Sequence, residues 1–424
     1  MKYDIVITGG GTAGCACAYI AARKNLSVLL IEKNSFLGGA MTSALVTPAM
    51  NTSSDNINNS FYTTLMSSLH KIGGQITYMD GNIGWFNPEL MKIVLDNLLD
   101  SAGVRVLLNS EIANITTEKK TLQNVTIKNY SDGKPIDAKY FVDATGDARI
   151  FQKLNCDFLE NENGFQPCSL RFIMSGIDVD TFSDWIMGLD MNRNVTTSYL
   201  IDGSTHLSTA CTWDSNKNWA LAPIFKEGIK YGLIEEQDSN YFQIFSIAGM
   251  PASLAFNCPR ILEKVNPDNS EDVSRALKSG RESILRLSNF FKLYFKGFEN
   301  AYISSIANSL GIRVSNRIKG KYIYTYRDLK TGKIFKNPCV ISDYPVDIHS
   351  SEKNMSVLDF STKNYMLPIE SLMSYNYDNL FAIGRCISAD FKAQAALRII
   401  PSCFSMGEGL AKYLANKDTK KNVK

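Results

Sequence analysis

The chain has 424 residues, 45% of them hydrophobic and 21% charged, with 28 Gly and 12 Pro. At roughly 150 residues per domain this predicts two or three domains with sizeable cores, and the composition argues against long disorder. Lys and Arg number 45 against 42 Asp and Glu, and a formal charge of +3 is too small to suggest a nucleic-acid or anionic-membrane surface. A partner has to be inferred from a site.

No window approaches 18 consecutive apolar residues, and the N-terminus runs into a strand-like Tyr3–Thr8 with no basic region and cleavable apolar segment, which makes the cytoplasm the default location. Lys2–Thr8 alternates and ends in Gly9-Gly10-Gly11-Thr12-Ala13-Gly14. Cys15–Lys24 then reads as an Ala-rich helix and Ser27–Glu32 as a buried strand. This β-α-β order puts Gly9-x-Gly11-x-x-Gly14 at a strand-to-helix junction and an acid, Glu32, at the end of the second strand, the context a dinucleotide fingerprint requires. Gly9 permits the tight turn, Gly11 lets backbone approach a pyrophosphate at the helix N-terminus, and Gly14 lets the helix pack closely on the sheet. Glu32 would accept hydrogen bonds from ribose hydroxyls and repel a 2'-phosphate, so NADP is disfavoured.

The nine Cys are scattered with no C-x-x-C, which argues against a zinc site, an iron–sulfur cluster or a dithiol pair. No metal site is expected. Gly38-Gly39 follows the second strand, and residues 43–87, with a helix over Phe61–His70, interrupt the nucleotide fold. Asn87 caps a helix with Pro88 at its first position. Strands follow near 104–108, 112–117, 122–130 and 138–144, the last two joined by a Ser131-Asp132-Gly133 turn and ending in Val142-Asp143-Ala144-Thr145-Gly146-Asp147. A long amphipathic helix, Asp272–Phe295, carries Val273, Ala276, Leu277, Ile284, Leu285, Phe291 and Tyr294 at helical spacing and stops at Gly297. The Lys-rich tail, Lys417–Lys424, reads as a frayed end.

Gly9–Gly14 with Glu32, Gly38-Gly39 and the meander ending in Ala144-Thr145-Gly146-Asp147 resemble the FAD-binding domain of the glutathione-reductase-like flavoprotein superfamily. The run Asn379–Gly409, with Gly384-Arg385-Cys386-Ile387-Ser388-Ala389, resembles the FAD-dependent oxidoreductase family. Asn257-Cys258-Pro259-Arg260, Gly311-Ile312-Arg313, Arg317-Ile318 and Asp347-Ile348-His349 resemble its middle section. Arg313-Val314-Ser315-Asn316-Arg317 departs from a family pattern R-E-S-R-R, losing an acid and one Arg.

The resemblance implies an α/β fold: a Rossmann-like FAD-binding domain, parallel sheet plus β-meander, with an inserted α+β substrate or lid domain. Residues 1–42, 88–160 and 375–424 would form the first, and 43–87 and 161–374 the second. It implies non-covalent FAD held by Gly9, Gly11, Thr12, Ala13, Gly14, Glu32, Lys33, Gly38, Gly39, Ala40, Met41, Ala113, Ala144, Thr145, Gly146, Asp147, Gly384, Arg385, Ser402 and Cys403. A helix from Pro401 to about Ala415 would turn the free N–H groups near Ser402–Phe404 toward the flavin's pyrimidine edge, where negative charge gathers on reduction.

Arg398 would hold that charge or a substrate carboxylate. His349 is the first candidate for general acid or base, because imidazole titrates near neutrality. His70, ending a helix, reads as structural. Arg260, Arg317 and Tyr344 are weaker candidates, each better suited to binding or bracing. No second G-x-G-x-x-G with an acidic partner follows, so reduction would come from the substrate or a redox partner. The expected activity is transfer of a hydride equivalent between flavin N5 and a small organic substrate. The alternatives are a flavin monooxygenase or halogenase, although W-x-W-x-I-P is absent and Trp213 and Trp219 are too far apart to supply it, and a non-catalytic, redox-sensing FAD protein.

Overall fold

The computed structural model describes residues 2–50, 57–128, 133–160, 164–193, 195–211, 218–349, 356–359 and 364–422. Chain order begins with β1 (Lys2–Thr8), α1 (Thr12–Arg23), β2 (Val28–Ile31), α2 (Ser60–His70), the short pair β3 (Gln75–Ile76) and β4 (Trp85–Phe86), and α3 (Pro88–Ser101). β5 (Arg105–Leu107), β6 (Ile112–Glu118), β7 (Thr121–Ile127), β8 (Ile136–Asp143) and the one-turn α4 (Arg149–Lys153) follow. The Asn87 carboxamide accepts from the N–H groups of Glu89 (2.9 Å) and Leu90 (3.2 Å), with Pro88 in the first turn, as the capping pattern predicts. Ser131 and Asp132 of the expected turn lie outside the described residues.

β5, β2, β1 and β8 run parallel, and β8 continues antiparallel into β7 and β6, giving the expected parallel sheet with its meander. β1 and β2 are covered on both faces, which is why Ile5–Ile7 and Val28–Ile31 are apolar runs without alternation. The register pairs Thr8 with both Ile31 and Asp143, so three strands end level at one edge.

The middle of the chain forms β9 (Cys168–Ser169), β10 (Phe172–Ser175), α5 (Val179–Leu189), β11 (Thr197–Ile201), β12 (Ser204–Ala210), α6 (Ala222–Lys230), β13 (Gln243–Ser246), β14 (Ser253–Phe256), β15 (Arg260–Ile261), α7 (Ser270–Tyr294) and β16 (Tyr302–Ile306). Its six-stranded antiparallel sheet, β11-β12-β13-β14-β10-β16, packs against α5, α6 and α7 over a Phe-rich core that includes Phe182, Phe225, Phe242, Phe256 and Phe291. The expected apolar stripe of α7 is corrected at Leu285, which is 58% exposed. One residue on from buried Ile284 it is rotated about 100° off the face, and Leu287 and Ser288 take the place instead.

The remaining elements are α8 (Tyr326–Thr331), β17 (Pro338–Ser342), β18 (Val346–His349), β19 (Ser356–Asp359), β20 (Tyr365–Pro368), β21 (Leu380–Ala382), α9 (Phe391–Leu397) and α10 (Ile400–Asn422). β21 joins the first sheet beside Phe141–Asp143 of β8. α10 runs on through Lys417 to Asn422, where a frayed end was expected, and Lys139 ties it down at Asp418 (3.0 Å). α2 and the buried residues between Tyr324 and Leu372, which the expected division gave to the substrate domain, pack in the same core as α1 and α10. The second core draws mainly on residues from Cys168 to Leu310, with Leu45 added. Among the described residues no helix is long and apolar enough to cross a membrane.

Candidate functional site

A cavity of about 870 Å³ opens where β1, β2 and β8 end, and it runs on to the inserted sheet. Thr8, Glu32 and Ala144 line its first end, and Ser169, Arg171, Tyr241 and Gln243 its second. Ligands of open α/β sheets bind beyond the carboxyl ends of the strands, where this cavity lies.

At the first end, Gly11 caps α1 without a side-chain hydrogen bond, which leaves N–H groups of the first turn available to an anion. A Cβ built on Gly11 meets only Gly39 Cα, at 3.7 Å, so the cradle is open for a ligand. On Gly14 the same Cβ would lie 1.9 Å from Gly9 O and 3.2 Å from Ala144 Cβ, so this Gly sets the close helix–sheet approach. Glu32, 6% exposed, accepts from the N–H groups of Gly10 (2.7 Å) and Asn34 (2.8 Å), which hold its carboxylate at the cavity wall with lone pairs to spare. Thr8 Oγ1 is buried on this wall without a hydrogen-bond partner among the described residues. The open cradle, the bare helix end and the orphaned hydroxyl fit a dinucleotide.

The turn after β8 is held from beneath. Asp143, fully buried, accepts from Thr145 N (3.1 Å), Thr145 Oγ1 (2.6 Å) and Ile150 N (2.7 Å). Asp147 then pairs with Arg385 Nη2 at 2.7 Å. Burial opposes its ionisation, but the Arg385 charge and hydrogen bond hold the Asp147 carboxyl below its usual range. Ser315 Oγ donates to Gly146 O (2.8 Å) and Asn316 Nδ2 to Asp147 O (3.3 Å). The neutral side chains of Ser315 and Asn316 thus add to the Arg385–Asp147 ion pair in fastening the turn.

At the second end, four side chains form a line. Arg260 Nη2 donates to His349 Nδ1 (2.7 Å), so Nε2 carries the ring proton and donates to Asp347 (3.2 Å), which also accepts from Arg398 Nη2 (3.1 Å). Burial, with the nearby Arg313 charge, pushes His349 down to about 3. Burial works against the Asp347 carboxylate, yet the His349 hydrogen bond and the Arg398 charge hold it well below the usual range. The expectation that His349 titrates near neutrality is therefore revised: it is a neutral, 7% exposed bridge between two charged groups. Arg398 sits on the cavity wall, its Nε buried and without a partner among the described residues, and its ion pair with Asp347 is largely buried.

Of the expected FAD residues, Gly9, Gly11, Thr12, Ala13, Glu32, Lys33, Gly39, Ala40, Ala144, Thr145, Gly146, Asp147, Gly384, Arg385 and Cys403 line the cavity, as do His349, Tyr344 and Arg398. Gly14, Gly38, Met41, Ala113, Ser402 and Arg260 do not. Gly38 donates its N–H to Gly10 O (2.8 Å) behind the cradle, Met41 is fully buried in the first core, and Ile112 lines the wall where Ala113 was expected. Ser402 is wholly buried, and the Cys403 N–H is already bonded to Ile399 O (2.9 Å) because α10 starts at Ile400. The expected free N–H groups near Ser402–Phe404 thus shift toward the helix start, where Ile399 and Ile400 line the cavity. Arg260 lies behind the wall with its guanidinium 4.0 Å over the Tyr241 ring, and Arg317 braces the carbonyls of Ala389 and Glu160.

Arg171, Tyr241, Arg313 and Asp347 were not singled out as site residues. Asp347 and Arg313 stand in stretches resembling the family, which was the one available signal. Arg171 and Tyr241 sit just before the apolar strands β10 and β13, far apart in sequence, and nothing local marks them.

The model of the family described as FAD dependent oxidoreductase matches residues 4–423. A digeranylgeranylglycerophospholipid reductase of Methanococcoides burtonii is 24% identical over 198 residues, 43% of this chain and 47% of that protein. A second such reductase, from Methanothermobacter thermautotrophicus, is 58% identical over 38 residues, 9% of this chain and 10% of the relative. The chain thus matches less than half the length of each of these curated relatives. Among solved structures, a geranylgeranyl bacteriochlorophyll reductase-like protein of Thermoplasma acidophilum is 13% identical with a TM-score of 0.48, covering 99% of this chain and 79% of that one. A flavin-dependent brominase is 13% identical with a TM-score of 0.48, covering 99% and 80%. The family match spans the chain from the Gly-rich cradle to α10, so the protein belongs to the FAD-dependent oxidoreductase family, with FAD as its cofactor.

Proposed function

We propose that this chain moves a hydride equivalent between N5 of its FAD and a small organic substrate bound at the Arg398 end of the cavity. The observation that carries the reading is one continuous cavity joining the dinucleotide cradle to buried polar side chains of the inserted sheet. FAD, when bound, supplies the two-electron chemistry. Gly11 and the α1 N-terminus would take the pyrophosphate, Glu32 the ribose hydroxyls, and Arg385 with Asp147 would fix the neighbouring turn. Arg398 would hold charge beside the pyrimidine edge, with Asp347 and His349 orienting its guanidinium. Tyr241 is pushed by burial up to about 12, so it keeps its proton at neutral pH. The curated relatives are reductases by name, which supports an organic acceptor or donor.

Denaturing the purified protein should release FAD intact, and anaerobic incubation with candidate metabolites should bleach the flavin with stoichiometric product. Release of NAD without flavin would overturn the reading. An oxygen-dependent hydroxylated or halogenated product would favour a monooxygenase or halogenase. Bleaching without turnover would favour a redox sensor.

A further inference from the structure

Arg171 and Arg313 both line the cavity, on two segments beside the inserted sheet that are joined by backbone hydrogen bonds. Arg171 precedes β10 and its carbonyl accepts from Ala307 N (2.9 Å); Gly311 N, two residues before Arg313, donates to Ser169 O (2.8 Å). Arg171 Nη1 donates to the carbonyls of Thr47 (3.1 Å) and Leu45 (3.4 Å). Arg313 donates to the Pro167 carbonyl and to Ser169 Oγ (3.1 Å). All four acceptors are neutral, and neither Arg makes an ion pair among the described residues. Asp347 is the acid near Arg313, and it is already engaged by Arg398 and His349.

A buried cation without a countercharge is expensive, and each guanidinium presents five N–H donors in a fork suited to a planar anion. We infer that the part of the cavity lined by Arg171 and Arg313 takes a carboxylate of the organic substrate, beside the Arg398–Asp347 pair. Burial pushes Arg171 down to about 10 and, together with the Arg398 and Arg260 charges, Arg313 down to about 9, so both are charged at neutral pH and present cationic groups to an anion in the cavity. A carboxylate is favoured over a phosphate because this end of the cavity brings planar forks, whereas the Gly-rich loop and helix end suited to phosphate lie at the other end. Gln243, Asn257 and Tyr344 line the same cavity and would contact the uncharged part of the molecule.

This rests on the hydride-transfer reading for the word substrate, while the anion site itself can be tested without turnover. The FAD-loaded protein is titrated with benzoate and succinate, with benzamide and succinamide, and with glycerol 3-phosphate, followed by calorimetry and by the flavin's visible spectrum. A carboxylate should bind at least tenfold more tightly than its amide and perturb the flavin band. Arg171→Met and Arg313→Met should each weaken it about tenfold or more with FAD content unchanged, and Arg171→Lys should lose less. If a Met variant fails to fold, the wild-type contrast between acid and amide still decides. Equal affinity for acid and amide, tightest binding by the phosphate ester, no binding by either carboxylate, or full affinity in folded Met variants would each overturn the inference. Calorimetry reads the anion without flavin, so protein that purifies flavin-free would defeat the hydride-transfer reading and leave this one decidable.

Discussion

Arg398 and Asp347 are opposed charges on one wall, so they should pull the flavin potential in opposite directions. A cation beside the pyrimidine edge stabilises the anionic reduced flavin, so Arg398→Met should lower the midpoint potential while FAD content is kept. Asp347→Asn, which removes the countercharge and keeps most of the shape, should raise it. Spectroelectrochemical titration of the three proteins checks both signs, and an unchanged potential in both variants would remove Arg398 from the flavin. His349 makes a prediction about stability. Its folded pKa of about 3 lies below the unfolded value near 6.5, so the unfolded chain binds the extra proton in that window. Its contribution is complete above about pH 6.5 and is lost as pH falls, with a slope of about 1.4 kcal/mol per pH unit. Gln can accept from Arg260 and donate to Asp347 without titrating, so His349→Gln should flatten that slope in denaturant unfolding between pH 6 and 4. Equal slopes would mean that His349 is protonated in the folded protein. The variant should also leave any neutral pH limb of flavin reduction in place.

The α1–α10 pair shows how one helix serves both packing and binding. Nearly every position of α1 is buried, and its Ala, Gly and Cys residues let it lie between the sheet and α10. A Cβ on Gly407 of α10 would sit 2.1 Å from Ala13 O, a backbone atom that cannot swing away. Gly407→Ala should therefore cost about 1–3 kcal/mol of stability, as overpacking does. Gly11→Val should behave differently. Gly11 has an extended, non-strained backbone with open space beside it, so the fold should keep its stability while flavin binding is lost. Thermal unfolding of flavin-free protein, beside flavin content as purified, separates the two effects. A Gly11→Val protein with full flavin would remove the pyrophosphate from this loop.

Across the whole molecule, the dinucleotide cradle opens into a cavity lined by residues of both the first and the second hydrophobic core. With that cradle taken by FAD, free NADH should reduce the flavin poorly, and rapid anaerobic bleaching at micromolar NADH would show a second nucleotide site. The first core was legible because its signals are local: a glycine spacing, an acid at a strand end, an N-cap followed by Pro, and apolar runs whose two-sided burial follows from β-α-β order. The cradle residues could be named for the same reason, since Gly9 to Gly14 and Glu32 meet across one turn and one strand pairing. The second end of the cavity was not legible. Arg171, Tyr241, Arg313 and Asp347 come from four separate segments, and what defines them is the absence of countercharge around two guanidiniums together with the line from Arg260 to Arg398. Those are properties of burial and distance. His349 shows the difference most sharply: as a residue type it titrates near neutrality, but desolvation and neighbouring arginines, present only once the chain has folded, hold it neutral.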